Sequence, residues 1–439
     1  DFPKLRRLMQ FNNIKRLFVV ISLVFSSLYF SAPTTDALGS YSPYSMLGIG
    51  DVVKQGNAYN YGMAGIGVGV RDNRYINYTN PASVSARDTL SFMLDVGITQ
   101  KNYYISDYQT KSAYNVFNMN NFAFTAPIYR KSAFIIGVSP FSNTGYKFES
   151  VEDDDKIVAD LGDVRYRKYG TGSIYQIFMG ASVTLFKNLS LGAEAIYYFG
   201  SIDRHSDVIF NSVTSYNSIY TGWEYNVGSF SGKFGLQYNQ PFKNNSSLTL
   251  GATYRLGNKL KGDYIKYAFT KTSSATDTVA YNTMDKAALK ISPELAVGVS
   301  YRHKDKWLIG VDYVRQDWRK SDFISSSARF DPMVGESFRA GFEIVPNRYD
   351  IRYYAKRMAY RCGVYYDKTY ISFDGNQVQS FGITLGTSLP IYKWHNAVSV
   401  AVDMGQRGTQ QNQLVRERYV NFMVNINLHD IWFVKYRYD

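Results

Sequence analysis

Apolar and polar side chains alternate along this chain in repeated stretches of about ten residues, a length typical of membrane-spanning strands. In the segment 189–195, LSLGAEA, apolar residues occupy the odd positions, and small or polar residues occupy the even ones. The segments 248–255, 295–302 and 338–344 repeat this pattern. Because successive side chains of a strand point to opposite faces, each segment predicts a strand with one apolar and one polar face. The repeat indicates a transmembrane β-barrel.

The lengths of the connections distinguish a barrel from a soluble β-sandwich, whose strands also alternate. Fourteen strands are predicted, at 90–100, 117–127, 132–142, 172–185, 189–201, 228–241, 246–256, 291–302, 306–317, 336–345, 357–367, 378–389, 396–406 and 418–428. Short turns alternate between them with long loops, which include 143–171, 202–227 and 257–290. Outer-membrane barrels place short turns in the periplasm and long loops outside. The predicted fold is therefore all-β, a transmembrane antiparallel β-barrel of about 14 strands in the bacterial outer membrane.

The N-terminal residues have the features of a secretory signal peptide. Lys15 and Arg16 precede an apolar run at 17–30, and Ala37 ends a plausible cleavage site. The run is shorter than the roughly 20 residues that a transmembrane helix needs. The predicted organisation is upstream residues and signal peptide at 1–37, a periplasmic or lumenal hatch at 38–88, the barrel at 89–428 and a periplasmic tail at 429–439.

The chain is basic, with 49 Lys and Arg against 36 Asp and Glu. The cations are scattered over predicted turns, loops and lumen-facing positions, and no basic helix or recognisable nucleic-acid motif gathers them. Nucleic acid is therefore not an expected partner. Attraction to membrane lipids and lipopolysaccharide explains the charge instead.

The segment 38–88 lacks the alternation of the strands and contains a glycine-rich run at 62–69. A phosphate-binding loop would need a strand and a helix around the glycines, which a barrel precursor does not supply. Glycines allow a compact segment to pass close to other backbone. The composition therefore favours a segment folded inside the lumen.

Short motifs in this segment carry a family resemblance. The run Gly62-Met63-Ala64-Gly65-Ile66-Gly67, then Arg71-Asp72, then Asn80-Pro81-Ala82-Ser83, resembles the N-terminal hatch of the FadL family of outer-membrane transporters for long-chain fatty acids and other hydrophobic compounds. The segments 337–343 and 359–367 are similar to the family's late strands. The resemblance implies a monomeric barrel gated by the hatch, with these gate residues: Gly62, Gly65, Gly67, Asn80, Pro81 and Ala82.

The resemblance also implies a lateral exit where the third strand is kinked. Here that strand contains Gly137, which permits a bend, and Pro140, which lacks an amide proton and leaves one ladder bond unmade. A lateral opening at these two residues is one interpretation. The other is that Pro140 ends the strand at the outer rim.

Charged residues of both signs fall on the predicted lumen-facing side of the strands. They are Glu194, Arg255, Arg302, Asp312, Arg339, Glu343, Arg361, Asp367 and Asp403. Such a lining either forms a polar path or braces the hatch. The loop segment 149–156, ESVEDDDK, is also highly charged, whereas the FadL family has an apolar capture groove in that loop.

The sequence offers no catalytic residue. His205, His303, His395 and His429 lie in predicted turns, loops or the tail, without a visible hydroxyl partner or metal-ligand spacing. The expected protein is therefore not an enzyme and has no cofactor or metal site.

Two functions are weighed. The first is passive uptake of a hydrophobic or amphipathic small molecule, of the long-chain fatty acid type, through a plugged lumen with a lateral exit. The alternative is a non-transporting accessory subunit of an outer-membrane protein assembly or secretion complex, with other outer-membrane or periplasmic proteins as partners. An aromatic and basic tail at 429–439 offers one surface for such a partner.

Overall fold

The fold is described here from a computed structural model. It describes residues 39–107, 110–210, 216–271, 276–321, 330–391, 395–411 and 414–431, with the backbone alone at 285–288. The predicted signal peptide and most of the predicted tail, 432–439, lie outside the described residues.

In these described residues, fourteen antiparallel strands form the barrel wall. The continuous strands are β1 (Ser91–Ser106), β2 (Lys111–Tyr129), β4 (Val164–Leu185), β5 (Leu189–Phe210), β6 (Ser218–Phe242), β9 (Trp307–Asp317), β11 (Ala359–Phe373), β12 (Asn376–Pro390), β13 (Ala397–Arg407) and β14 (Arg416–Ile431). The strands in two pieces are β3 (Ser132–Asn143 and Tyr146–Val151), β7 (Ser246–Arg255 and Asn258–Lys271), β8 (Thr276–Ile291 and Glu294–His303) and β10 (Phe330–Pro332 and Val334–Ile344).

The barrel closes between its first and last strands. Ser91 of β1 pairs with Ile431 of β14, and the register continues to Ser106 and Arg416. Closure gives every strand two neighbours, which removes the unpaired edge that a membrane does not tolerate.

Large apolar side chains are exposed on the outer face of the wall. They include Val96, Phe122, Ile177, Met179, Leu191, Phe234, Leu236, Leu250, Leu295, Val297, Val299, Ile309, Val311, Phe338, Val364, Ile383, Leu385, Phe422 and Ile426. A continuous apolar surface of this kind is unfavourable in water and favourable in lipid. The predicted fold class, a transmembrane β-barrel, is confirmed.

The predicted long loops differ from the structure, because much of each is strand. β4 begins at Val164, β5 runs to Phe210 and β6 begins at Ser218, so strand replaces most of the predicted loop at 202–227. β6 has 25 residues, which at about 3.3 Å per residue is far longer than an apolar band about 25 Å tall, even with tilt. The outer parts of these strands stand in water, where pairing needs no apolar face, so hydrophobic alternation does not reveal them.

Residues 39–88 form short elements rather than strands of the wall. Two 3-10 helices lie at Pro43–Met46 and Pro81–Ala86, a short helix lies at Ala58–Tyr61, and Asp51–Val52 is a two-residue strand. Most of the segment is buried against inward-facing side chains of the wall. We call residues 39–88 the N-terminal segment. No helix in the described part of the chain is long and apolar enough to cross a membrane.

Candidate functional site in the barrel lumen

Inward-facing side chains of three strands accept backbone N–H groups of the N-terminal segment. Asp312 of β9 accepts from Gly67 at 2.7 Å and from Val68 at 2.8 Å. Thr384 of β12 accepts from Ala64 at 2.8 Å. On β14, Asn425 accepts from the N–H of residue 58 at 2.9 Å. These bonds fix the segment to separate parts of the wall.

Glycines of the wall allow the segment to approach strand backbone directly. A Cβ atom added to Gly251 would overlap the carbonyl oxygen of Val68, and one added to Gly69 would lie 2.7 Å from the carbonyl carbon of Gly298. Gly251 and Gly298 were not identified from the sequence. Their position on the inward-facing side of two strands is the signal that sequence reasoning missed, because only glycine leaves that side open to another backbone.

The predicted gate glycines lie at close contacts inside this arrangement. Gly62 faces the Cα atom of Gly386, Gly65 has φ of +82°, and Gly67 is enclosed by Asn77. None of these contacts shows movement, so their role as a gate stays a prediction.

The motif Asn80-Pro81-Ala82 begins a 3-10 helix and attaches it to the wall. The Asn80 side chain accepts from the N–H of Ala82 at 3.0 Å and caps the helix. Its amide also donates to the carbonyl of Val68 at 2.8 Å and to Leu236 of β6 at 3.2 Å. Pro81 and Ala82 pack against wall glycines. One asparagine thus links helix capping to docking of the segment.

A buried ion network joins the segment to the wall near the short-turn end of the barrel. Asp72 contacts Arg74 and Arg302, each at 2.7 Å. Glu343 contacts Arg361 at 2.7 Å and Arg302 at 3.6 Å. Burial disfavours ionisation of Asp72, but the charges of Arg74 and Arg302 outweigh it and hold its pKa well below the usual range. The network therefore stays charged inside the protein.

A second charged cluster lies nearer the long-loop end. Lys54 contacts Asp367 at 2.7 Å and lies 3.2 Å from the ring centre of Tyr365. Arg407 contacts Asp51 at 2.7 Å and Glu417 at 2.7 Å. Asp51 and Lys54 belong to the N-terminal segment, so ion pairs hold it at this end as well.

The remaining predicted lumen residues also point inward. Glu194 is 6% exposed and Arg255, which pairs with Glu294 at 2.7 Å, is 5% exposed. Asp403 accepts a hydrogen bond from the Tyr365 hydroxyl at 2.8 Å. Arg339 is half-buried and donates to the carbonyl of Gly65 at 3.3 Å.

A cavity of about 280 Å³ lies between these groups and the N-terminal segment. Its charged lining residues include Asp51, Lys54, Glu194, Lys233, Arg255, Glu294, Arg339, Asp367, Asp403 and Arg407. The lining also includes apolar side chains such as Phe178, Ile196 and Met423, so charged and apolar groups share the cavity.

The ladder between β2 and β3 is incomplete, and the N-terminal segment lies beside the missing part. Pairing of these strands ends at Phe122 and Val138. Beyond that point, Ser142 and Asn143 pair with Val52 and Asp51 of the segment. We call the place beyond Phe122 and Val138, where β2 and β3 do not pair with each other, the seam.

Backbone contacts continue along the seam on the β3 side. Gln55 donates to the carbonyl of Pro140 at 3.0 Å, and the N–H of Val53 donates to Phe141 at 2.9 Å. Pro140 does not end the strand, which continues to Asn143 with a register shift after Pro140. That alternative for Pro140 is therefore wrong. Gly137 lies in the paired part, opposite residue 123.

Side chains of β2 reach the segment from the other side of the seam. The amides of Asn118 and Asn120 donate to the carbonyls of Gly39 at 2.7 Å and Gly56 at 3.1 Å. The segment therefore touches both strands where they do not pair with each other.

Two histidines do meet a hydroxyl group, which sequence reasoning missed. The Nδ1 atom of His205 lies 2.7 Å from the phenol hydroxyl of Tyr267, and His303 meets a serine. Ser246 of β7 and His303 of β8 are cross-strand neighbours, and their Oγ and Nδ1 atoms lie 2.7 Å apart. A nucleophile needs a base that is itself oriented by a third group. In the described part of the chain, no acidic side chain contacts His303, so the pair lacks that group.

The closed wall and its inner segment define a protein of the FadL structural type. One similar solved structure is the toluene transporter TbuX of Ralstonia pickettii, with 16% identity and a TM-score of 0.57 over 85% of this chain and 98% of that chain. The CymD monoaromatic hydrocarbon channel has 13% identity and a TM-score of 0.56 over 88% of this chain and 99% of that chain. A Pseudomonas aeruginosa FadL homologue has 15% identity and a TM-score of 0.52 over 88% of this chain and 100% of that chain. At these identities the likeness shows the fold alone, and to that extent the resemblance to the FadL family is confirmed.

Comparison with sequence families is more specific than the shared fold. The model of the family described as BamG matches residues 13–439, and the chain belongs to the BamG family. No curated protein matches the chain.

Proposed function

We propose that this protein is a non-transporting accessory subunit of a bacterial outer-membrane protein complex, with the N-terminal segment as a hatch that closes its lumen. The single observation that carries the proposal is the attachment of this segment to the wall by buried ion pairs and hydrogen bonds at both ends. Asp72 with Arg302 is a buried ion pair near the short turns, and Lys54 with Asp367, in which the lysine is half-buried, is an ion pair nearer the long loops.

The energetics of this attachment favour a closed lumen. Breaking a buried ion pair costs about 3–5 kcal/mol, and a buried hydrogen bond to a charged group is worth about 1.5–3 kcal/mol. A hydrocarbon ligand has no polar groups with which to replace these interactions, and a fatty acid has only its one carboxylate. Displacing the hatch for such a ligand would therefore leave several charges buried without partners.

The charged groups in the mixed lining of the cavity support the same proposal. An apolar molecule in it would remove water from Lys54, Arg339 and Asp403 without offering hydrogen bonds. Bracing of a fixed segment explains the charged groups of the lining without a ligand.

The turn between β10 and β11 offers a surface for a partner protein. Ile351 is 100% exposed, Tyr349 64% and Tyr353 54%, and all three lie at the short-turn end that we assign to the periplasm. Exposed aromatic and aliphatic side chains that lie together are common at protein interfaces.

The test is gentle detergent extraction from native membranes, followed by size separation and mass spectrometry of everything that remains bound. We expect the barrel inside a stoichiometric protein complex, and we expect Ile351→Asp to weaken that association. Val279→Asp is the matched control, because Val279 is 65% exposed on the outer part of β8. Recovery of a lone barrel that carries an apolar ligand would contradict the proposal.

The second candidate is uptake of a hydrophobic small molecule, favoured by the seam between β2 and β3 and by the fold shared with the toluene and monoaromatic hydrocarbon proteins. In this case Gly137 and Pro140 border a lateral exit that the segment covers. Purified protein in liposomes would then accelerate entry of a long-chain fatty acid, and a disulfide between Val53→Cys and Phe141→Cys would stop it. Entry no faster than into empty liposomes would exclude this candidate.

A further inference from the structure

A second cavity, of about 220 Å³, lies at the short-turn end of the barrel, outside the lumen site. Its lining comes from the N-terminal segment, the turn between β10 and β11 and the turn between β12 and β13. Arg74, Arg348 and Arg357 supply positive charge, while Val345 and Ile391 belong to an otherwise largely apolar wall. We call this cavity the arginine pocket.

The nearby carboxylates are already engaged by Arg74, which lines the pocket, and by two arginines of the wall. Asp72 pairs with Arg74 and Arg302, and Glu343 pairs with Arg302 and Arg361. Among the described residues, no carboxylate lies within 4.0 Å of Arg348 or Arg357. The pocket therefore has an excess of positive charge that the protein itself does not neutralise.

Donor groups in the pocket are also unsatisfied. The Nε atoms of Arg348 and Arg357 are buried and have no hydrogen-bond partner among the described residues. Leaving a buried charged donor without an acceptor is costly. Burial and the charge of Arg74 also lower the pKa of Arg348, as expected for cations held close together. An anion in the pocket would relieve both effects.

We propose that the arginine pocket binds a phosphate group, either as the free anion or as part of an amphipathic molecule such as a phospholipid. Guanidinium groups present parallel N–H donors that match pairs of phosphate oxygens. The apolar wall, with Val345, Ala359 and Ile391, suits a ligand whose phosphate is joined to an apolar part. This site is separate from the lumen and does not depend on whether the protein is a subunit or a transporter.

The test is titration calorimetry on the full protein in an uncharged detergent, with two probes. One probe is inorganic phosphate, and the other is a short-chain phosphatidylglycerol below its micelle concentration. We expect the double variant, which carries both Arg348→Gln and Arg357→Gln, to bind the probe at least about tenfold more weakly than the natural protein does. This corresponds to about 1.4 kcal/mol of binding free energy. Arg352→Gln is the control, because Arg352 lies in the same turn, is exposed and does not line the pocket.

The two probes distinguish the sources of the phosphate. Binding of both supports a free-anion site, and binding of the phospholipid alone supports a lipid headgroup site. Failure of the natural protein to bind either probe would overturn the proposal without reference to any variant. An equal loss in Arg352→Gln would also overturn it, because it would show only general attraction to a basic surface.

Discussion

Glu343 is the ion-pair partner of Arg361 and, after Asp72, the second partner of Arg302. It contacts Arg361 at 2.7 Å and Arg302 at 3.6 Å, and the Arg361 side chain is 0% exposed. We expect Glu343→Gln to lower the free energy of unfolding by about 3–5 kcal/mol, because it leaves buried charge without a partner. Urea unfolding in detergent, followed by the gel shift between folded and unfolded barrel, measures this change.

The control for that substitution lies on the same strand. Glu336 is partly exposed and approaches Lys368 at 3.6 Å. Because exposed pairs are worth about 0–1 kcal/mol, Glu336→Gln should change stability little. Equal destabilisation by both substitutions would contradict the structural role assigned to the buried network.

Asp312 is expected to hold the N-terminal segment rather than the wall. Removing its carboxylate leaves the N–H groups of Gly67 and Val68 unsatisfied, at about 1–3 kcal/mol each. Asp312→Ala should therefore increase trypsin cleavage at Arg71 while the barrel stays folded. Asp317→Ala is the control, since among the described residues Asp317 forms its ion pair with Arg319, a nearby exposed arginine. Unchanged cleavage in Asp312→Ala would show that other contacts hold the segment.

At the scale of residues, the sequence predicted which side of the wall a side chain faces but not which residue it pairs with. Strand alternation alone placed Asp312, Glu343 and Arg361 on the inner side, and in the structure they are buried there. Asp72 and Lys54 were not identified as the partners of Arg302 and Asp367, because the N-terminal segment has no regular period from which side-chain direction can be inferred.

At the scale of elements, close backbone packing fixes the segment against the wall. Gly251→Val would place methyl groups where Val68 now lies, so we expect faster hydrogen exchange at the amides of residues 64–70. Gly335→Val is the control, because the nearest atom to an added Cβ there lies at 3.6 Å. Equal exchange in both variants and the natural protein would contradict direct docking at Gly251.

The strands near the short turns were predictable because the bilayer imposes alternation on them. The predicted strand at 189–201 falls within β5, but the structure extends that strand to Phe210. The extension pairs residue by residue with β6, for example Asp207 with Tyr220. In water, both faces of a strand can be polar, so no periodic signal marks where it ends.

At the scale of the whole molecule, a lipid-facing wall encloses a charged interior held by a segment from the start of the chain. For this region the sequence predicted a bend at Gly137, an unmade ladder bond at Pro140 and, as one interpretation, a lateral opening at these two residues. That the N-terminal segment would pair with Ser142 and Asn143 there was not predictable, because the pairing joins residues about 90 positions apart without a shared pattern.

The most direct test of hatch closure is ion conductance through the purified protein in planar lipid bilayers. We expect the natural protein to give no current steps above the bilayer baseline, because the attached segment closes the lumen. Gly251→Val should give steps, because its segment no longer docks. Steps of similar size from the natural protein and from Gly251→Val would contradict the account and show an open lumen.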